Sequence, residues 1–146
     1  MIKEETITKC ILNFLAKKGW RVLSFDFPQS GTGISLKVNN SHNEKNRGSV
    51  TPDVIAIKSN ILLILENKSD FSKKDLDKLE TVKDGRYSES LIRHFPNLKS
   101  KRICIGMGLG ATSANLAKVT QYKNELDAYI IVGEDASISA YSLPTI

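Results

Sequence analysis

Two carboxylates and an amine stand at the ends of two neighbouring apolar runs. Asp53 comes directly before the run at residues 54–57, and Glu66 and Lys68 follow the run at residues 61–65. Only three polar residues separate the runs, so the pattern predicts a β-hairpin whose strands are buried. Side chains that converge at the end of such a hairpin are candidates for metal binding and for acid-base chemistry.

The turn of this hairpin decides which side chains meet. If Ser59 and Asn60 form a two-residue turn, the ladder brings Asp53 opposite Glu66, and directly opposed side chains lie on one face with Cβ atoms roughly 5 Å apart. Lys68 then points to the same face as Glu66, because side chains alternate along a strand. A slip of one residue places the carboxylates on opposite faces instead.

A pair of opposed carboxylates is destabilising unless a cation lies between them. Oxygen ligands favour a hard divalent cation. The expected cofactor is therefore Mg²⁺, with Mn²⁺ as an alternative. The competing interpretation is an ordinary hairpin, in which Pro52 starts a strand and the charged residues mark a solvated exit.

The motif formed by Pro52 and Asp53, twelve intervening residues, and then Glu66, Asn67 and Lys68 resembles the PD-(D/E)xK phosphodiesterase superfamily, the restriction endonuclease-like nucleases. The resemblance implies that Asp53 and Glu66 hold the divalent metal and that Lys68 helps to activate the attacking water. It also implies that the backbone carbonyl of Asn67 completes the coordination. All three side chains, Asp53, Glu66 and Lys68, are then catalytic.

A further ligand is implied by branches of the same family in which a glutamate of the first helix reaches the metal. Glu4 and Glu5 lie in that position, and Glu5 is weakly preferred because Thr6 and Ile7 follow it into the apolar stripe. Acidic residues in a first helical turn also have a simpler explanation, since they oppose the helix dipole favourably.

The expected function is that of a Mg²⁺-dependent DNA endonuclease, most simply a small type II restriction endonuclease or its catalytic subunit. A metal on the carboxylates supplies a Lewis acid for phosphodiester hydrolysis. Lys68 either lowers the pKa of the attacking water or acts as a base itself. The alternatives are a structure-specific nuclease such as a Holliday-junction resolvase, and a non-catalytic nucleic-acid-binding module on the same fold.

Basic residues near the motif are candidates for DNA contacts. The formal net charge is +5, which suits a polyanionic partner. Residues 29–50 are predicted to form a flexible polar loop that leads directly to Asp53, and a predicted helix follows the hairpin. The candidates on this loop and helix are Lys37, Lys45, Arg47, Lys78 and, as a weak candidate, Arg86. A solvated basic surface explains these residues equally well.

The expected fold is α/β: a single domain, residues 1–146, with a mixed sheet of about five strands flanked by helices, as in restriction endonuclease-like proteins. Helices are predicted at residues 3–18, 71–95 with a break near residue 85, and 112–122. Outside the hairpin, strands are predicted at residues 20–27, 102–106 and 128–132, with an edge strand at 137–143. Residues 106–110 carry three glycines and are predicted to form a tight strand-to-helix connection.

Partners and location follow from size and composition. A chain of 146 residues leaves little room for a separate recognition domain, so reading a palindrome requires a homodimer or association with a recognition subunit. Two cysteines at unrelated positions argue against a disulfide framework or a zinc site. No apolar run approaches membrane-spanning length, so we expect no membrane partner and a cytoplasmic location.

Overall fold

The computed structural model describes residues 1–27, 30–40, 48–98 and 102–146. These residues form one α/β domain. Its helices are α1 (Glu4–Lys17), α2 (Lys73–Lys83), α3 (Ser88–His94) and α4 (Ser113–Gln121), with a short 3-10 helix at Pro96–Leu98. Its strands are β1 (Arg21–Phe25), β2 (Val54–Lys58), β3 (Ile61–Lys68), β4 (Arg102–Gly110), β5 (Ala128–Val132) and β6 (Ile138–Ser142).

The six strands form a single mixed sheet in the order of the sequence, β1 to β6. β3, β4 and β5 run parallel to one another, while β1, β2 and β6 pair with their neighbours in antiparallel fashion. The predicted α/β class and mixed sheet are confirmed. The sheet has six strands where about five were predicted, and the edge strand predicted in the tail is β6.

Helices cover both faces of the sheet. Residues of α1 such as Ile7 and Ile11 pack on one face, and residues of α2 and α4 such as Leu79 and Val119 pack on the other. β3 lies between these layers and is buried along all but its last residue. Burial on both faces explains why its sequence is a continuous apolar run instead of an alternating one.

The hairpin of β2 and β3 has the predicted register. Lys58 pairs with Ile61 and the ladder continues to Val54 opposite Leu65. Ser59 occupies the left-handed region with φ 51°, the conformation that a tight two-residue turn between antiparallel strands requires. The prediction that depended on this turn is therefore confirmed.

The glycine-rich segment after residue 106 is not a connection, and that prediction was wrong. Gly106, Gly108 and Gly110 belong to β4, which pairs with β3 as far as Leu109 and with β5 as far as Gly110. A Cβ at Gly108 would collide with Ile11 of α1 and with the Asn67 side chain. These glycines permit close packing inside the sheet instead of breaking it.

The segment predicted as a flexible polar loop is described at residues 30–40 and 48–50. Leu36 is fully buried and forms an isolated bridge with Val50. The hydroxyl of Tyr87, at the start of α3, donates to the Gly48 carbonyl at 2.7 Å. These described parts of the segment are thus packed against the α2 and α3 side of the core.

Candidate functional site

Asp53 and Glu66 lie just beyond the last ladder pair of β2 and β3. The backbone N–H of Asp53 donates to the Leu65 carbonyl at 3.1 Å, so the chain is still attached to β3 at this point. Glu66 is the sixth residue of β3 and is only 5% exposed. The two carboxyl groups are close enough for each to affect the pKa of the other, as the predicted register requires.

Burial and mutual repulsion keep a proton on this pair. Burial raises the pKa of Asp53 to about 6, although a hydrogen bond from the Asn67 backbone opposes the shift. Burial and the neighbouring Asp53 charge raise the pKa of Glu66 to about 8. Both shifts favour the protonated form of the carboxyl groups over the ionised form.

Asn67 holds Asp53 through its main chain. Its backbone N–H donates to Oδ2 of Asp53 at 2.7 Å, and a short bond to an ionised acceptor is among the stronger hydrogen bonds in proteins. In a strand the N–H and C=O of one residue point to the same side. The Asn67 carbonyl is thereby directed to the Asp53 side of β3, where the resemblance predicts a metal ligand.

Lys68 ends β3 and is the most exposed member of the predicted catalytic set, with 38% of its side chain accessible. Partial burial lowers its pKa, but the carboxylates of Glu4, Asp75, Asp53 and Glu66 outweigh that effect and raise the pKa. Its ammonium lies 3.7 Å from Oε1 of Glu4. Lys68 is thus held in the charged form.

The first helix contributes Glu4 to this region, whereas Glu5, the weakly preferred ligand, pairs elsewhere. Glu5 lies 3.0 Å from the ammonium of Lys9, one turn along α1, and both side chains are substantially exposed. Glu4 also acts electrostatically on Asp53. Of the two glutamates, Glu4 is the one that the fold brings beside Lys68 and Asp53.

Sequence reasoning missed Asp75 as part of the site. It lies in the first turn of α2 and is 8% exposed, and its Oδ2 has no hydrogen-bond partner among the described residues. Lys78 lies three residues further along, with its ammonium 3.9 Å from Asp75 Oδ1 and 4.0 Å from Glu66 Oε2. An acid three residues before a lysine in a predicted helix was the available signal.

Lys78 and Arg86 also line a shallow cleft of about 390 Å³ between α2 and residues 48–50. Lys78 connects the cleft with the carboxylate pair, because its ammonium also lies 4.0 Å from Glu66 Oε2. The lining of the cleft includes one acid, Asp77. Lys37 is exposed, and its backbone N–H donates to Ser90 of α3 at 3.1 Å. The remaining predicted DNA contacts, Lys45 and Arg47, lie outside the described residues.

The donors available to a metal are the two opposed carboxylates and the Asn67 carbonyl. No group of three or more His, Cys, Asp or Glu side chains in the described ranges is placed to hold a metal ion. Mg²⁺ keeps several waters and is usually bound by one or two carboxylates together with substrate phosphate. The donor set fits that mode of binding and does not fit a closed structural metal site.

Comparisons with known proteins give similarities among solved structures. The chain is similar to an XisH family protein from Nostoc punctiforme PCC 73102, with a TM-score of 0.48 and 14% identity over 93% of this chain and 98% of that one. It is also similar to a fdxN element excision controlling factor protein from Anabaena variabilis, with a TM-score of 0.44 and 12% identity over 94% and 98% of the two chains. No protein-family model matches the sequence, and no curated protein matches it.

Among the described residues, no helix is both long enough and apolar enough to cross a membrane.

Proposed function

We propose that this chain is a Mg²⁺-dependent endodeoxyribonuclease that hydrolyses phosphodiester bonds. The observation that carries the proposal is the pair formed by the half-buried Asp53 and the buried Glu66, which face each other where β2 begins and β3 approaches its end. A binding surface gains nothing from two carboxylates held together away from water, whose charges repel one another. A divalent cation between them removes that cost.

The residues that would hold the metal are Asp53 and Glu66, through their carboxylates, and Asn67, through its backbone carbonyl. When bound there, Mg²⁺ would supply a Lewis acid to a phosphate oxygen and a bound water of lowered pKa. Any proton held by the two carboxyl groups would be released on binding, because carboxylates coordinate metals in the ionised form. Mn²⁺ prefers the same oxygen donors and is the expected substitute.

Lys68 acts in this proposal as a cation and not as the general base. Four carboxylates raise its pKa, so it carries no free lone pair with which to accept a proton. From the same face as Glu66, its ammonium is placed to orient the attacking water and to stabilise negative charge that develops on the phosphate.

The proposed DNA path runs from the carboxylate pair into the cleft lined by Lys78 and Arg86. The Lys78 ammonium, 4.0 Å from Glu66, would contact a phosphate next to the scissile one, and Arg86 would add a second cation to a lining that also contains Asp77. Lys37, Lys45 and Arg47 remain proposed contacts on the segment that precedes Asp53. Such contacts supply affinity that is independent of base sequence.

Within this class we propose a small type II restriction endonuclease or its catalytic subunit. Cutting both strands of a palindrome requires two active sites related by two-fold symmetry. The proposed assembly is accordingly a homodimer, or a complex of this chain with a recognition subunit.

The deciding experiment incubates the purified chain with supercoiled plasmid and with synthetic four-way junctions, in Mg²⁺, in Mn²⁺ and in EDTA. Discrete plasmid fragments that require the metal support the proposal. Selective cutting of junctions moves the function to a resolvase. If neither DNA is cut, and calorimetry detects no Mn²⁺ binding, the nuclease proposal is wrong and a non-catalytic role remains.

The matched control is Asp53→Asn beside Asp70→Asn. Both variants convert one aspartate to its amide, but Asp70 is exposed beyond the end of β3. Only Asp53→Asn is expected to abolish cleavage. Loss of cleavage in both variants would indicate a general effect on folding or solubility.

A further inference from the structure

We propose that Thr8 of α1 is a positioning residue for the Asp53 carboxylate and acts on it through Asn67. The inference rests on the proposed metal-dependent hydrolysis and adds the residues that fix the geometry of its metal site. Neither Thr8 nor the Asn67 side chain shares a face of the sheet with the carboxylate pair.

Asn67 is the connecting element because its main chain and side chain bond to different parts of the molecule. Its backbone N–H donates to Asp53 Oδ2 at 2.7 Å. Its side-chain amide passes to the opposite face of the sheet and donates to Thr8 Oγ1 at 2.9 Å. A rotation of residue 67 therefore moves the Asp53 carboxylate, and Thr8 opposes that rotation.

The hydrogen bond between the Asn67 side chain and Thr8, called the link below, is buried at both ends. Asn67 is 1% exposed and Thr8 is 1% exposed. Among the described residues, Asn67 Oδ1 has no hydrogen-bond partner, so the bond to Thr8 is the polar contact that the structure gives this amide. Without the Thr8 hydroxyl, the amide would be buried with no partner, and it would rotate or recruit water.

The absence of a side chain at Gly108 leaves room for the link. It pairs with Asn67 across the parallel strands β3 and β4, and a Cβ at this position would meet both Asn67 Oδ1 and the end of the Ile11 side chain of α1. The glycine lets α1 approach the sheet closely enough for Thr8 to reach Asn67. The link thus explains a glycine in the middle of a buried strand, a position that glycine otherwise weakens.

The test compares Thr8→Val with Thr8→Ser and with Thr6→Val. Thr8→Val keeps the shape and removes the hydroxyl, Thr8→Ser keeps the hydroxyl, and Thr6→Val makes the same chemical change at a half-exposed position of α1. Mn²⁺ affinity is measured by calorimetry without DNA, and the Mg²⁺ concentration for half-maximal cleavage is measured at saturating plasmid.

Thr8→Val is expected to weaken Mn²⁺ binding about 10-fold, the lower end of the effect of losing a partner that orients a metal ligand. The half-maximal Mg²⁺ concentration is expected to rise in parallel, while Thr8→Ser and Thr6→Val match the wild type. If Thr8→Val does not fold, Thr8→Ala tests the same bond with a residue of higher helix propensity.

Three results would overturn the positioning role, and they are distinguishable. If the wild type binds Mn²⁺ and cuts DNA, and Thr8→Val and Thr8→Ala do both equally well, the positioning role is wrong while the nuclease proposal survives. If the wild type binds no Mn²⁺ and cuts no DNA, both proposals are wrong. An equal loss of Mn²⁺ affinity in Thr6→Val would assign the effect to the packing of α1 and overturn the link.

Discussion

Glu66 lies opposite Asp53 at the mouth of the β2–β3 hairpin, one position beyond the pair formed by Val54 and Leu65, and burial raises the pKa of both carboxyl groups. The fold is therefore expected to be less stable when both groups are ionised with no cation between them. The free energy of unfolding of the metal-free protein is therefore expected to depend on pH.

The stability of the metal-free protein is expected to fall as the pH rises from about 4 to about 8. Folding raises the pKa of Asp53 from 3.8 to about 6 and that of Glu66 from 4.5 to about 8. At a pH between the unfolded-state and the folded-state pKa of either group, the folded state binds more protons than the unfolded state. Raising the pH through this interval therefore lowers the free energy of unfolding. Urea unfolding in EDTA across this range measures the effect. A free energy of unfolding that rises steadily between pH 5 and pH 8 contradicts the raised pKa values of Asp53 and Glu66.

Glu66→Gln is expected to stabilise the metal-free protein and to abolish cleavage. The amide keeps a donor for Asp53 and cannot ionise, so at pH 8 the gain is at least about 1 kcal/mol, the equivalent of one pKa unit. The same change removes a charged oxygen from the proposed metal site. Urea unfolding at pH 5 and pH 8, together with plasmid cleavage, checks both parts. Full cleavage by this variant would remove Glu66 from the site.

The hairpin was predictable because the residues that specify it are neighbours in the sequence. Two apolar runs with a short polar connection predict a hairpin, and the length of its turn determines the register. The opposition of Asp53 and Glu66 follows from that register without any tertiary information. The α/β class followed in the same way from the alternation of apolar runs and helical periodicity.

The contacts made by α1 and β4 were not predictable in this way. A tight connection was predicted at Gly106, Gly108 and Gly110 because glycine destabilises regular structure. That prediction considered only neighbours in the sequence. Their role becomes visible only when α1 lies on the sheet above them. The approach of Thr8 to Asn67 and of Glu4 to Lys68 depends on the same docking, which leaves no spacing signal in the sequence.

Lys68→Ala is expected to reduce the rate of cleavage by about 10² to 10³, the usual cost of removing one group that stabilises developing negative charge. Metal binding should be retained or slightly strengthened, because the variant lacks a cation beside the carboxylates. Lys123→Ala, at an exposed position after α4, is the matched control. Single-turnover cleavage and Mn²⁺ calorimetry separate the two effects. Wild-type cleavage by Lys68→Ala would exclude the proposed role.

Arg86→Ala and Lys78→Ala are each expected to weaken DNA binding and to lower the slope of log affinity against log salt concentration by about one. Each contact with a phosphate releases condensed counterions. Losing one contact therefore lowers the number of counterions released, and with it the slope. Binding is measured by fluorescence anisotropy in Ca²⁺, to avoid cleavage, between low and moderate salt. Lys123→Ala again serves as the control, because it removes one positive charge away from the cleft.

Arg86→Ala is the cleaner of the two variants, since Lys78 also lies 4.0 Å from Glu66 and its loss perturbs the carboxylate pair. If all three variants keep the wild-type slope, the cleft between α2 and residues 48–50 is not the path of the DNA.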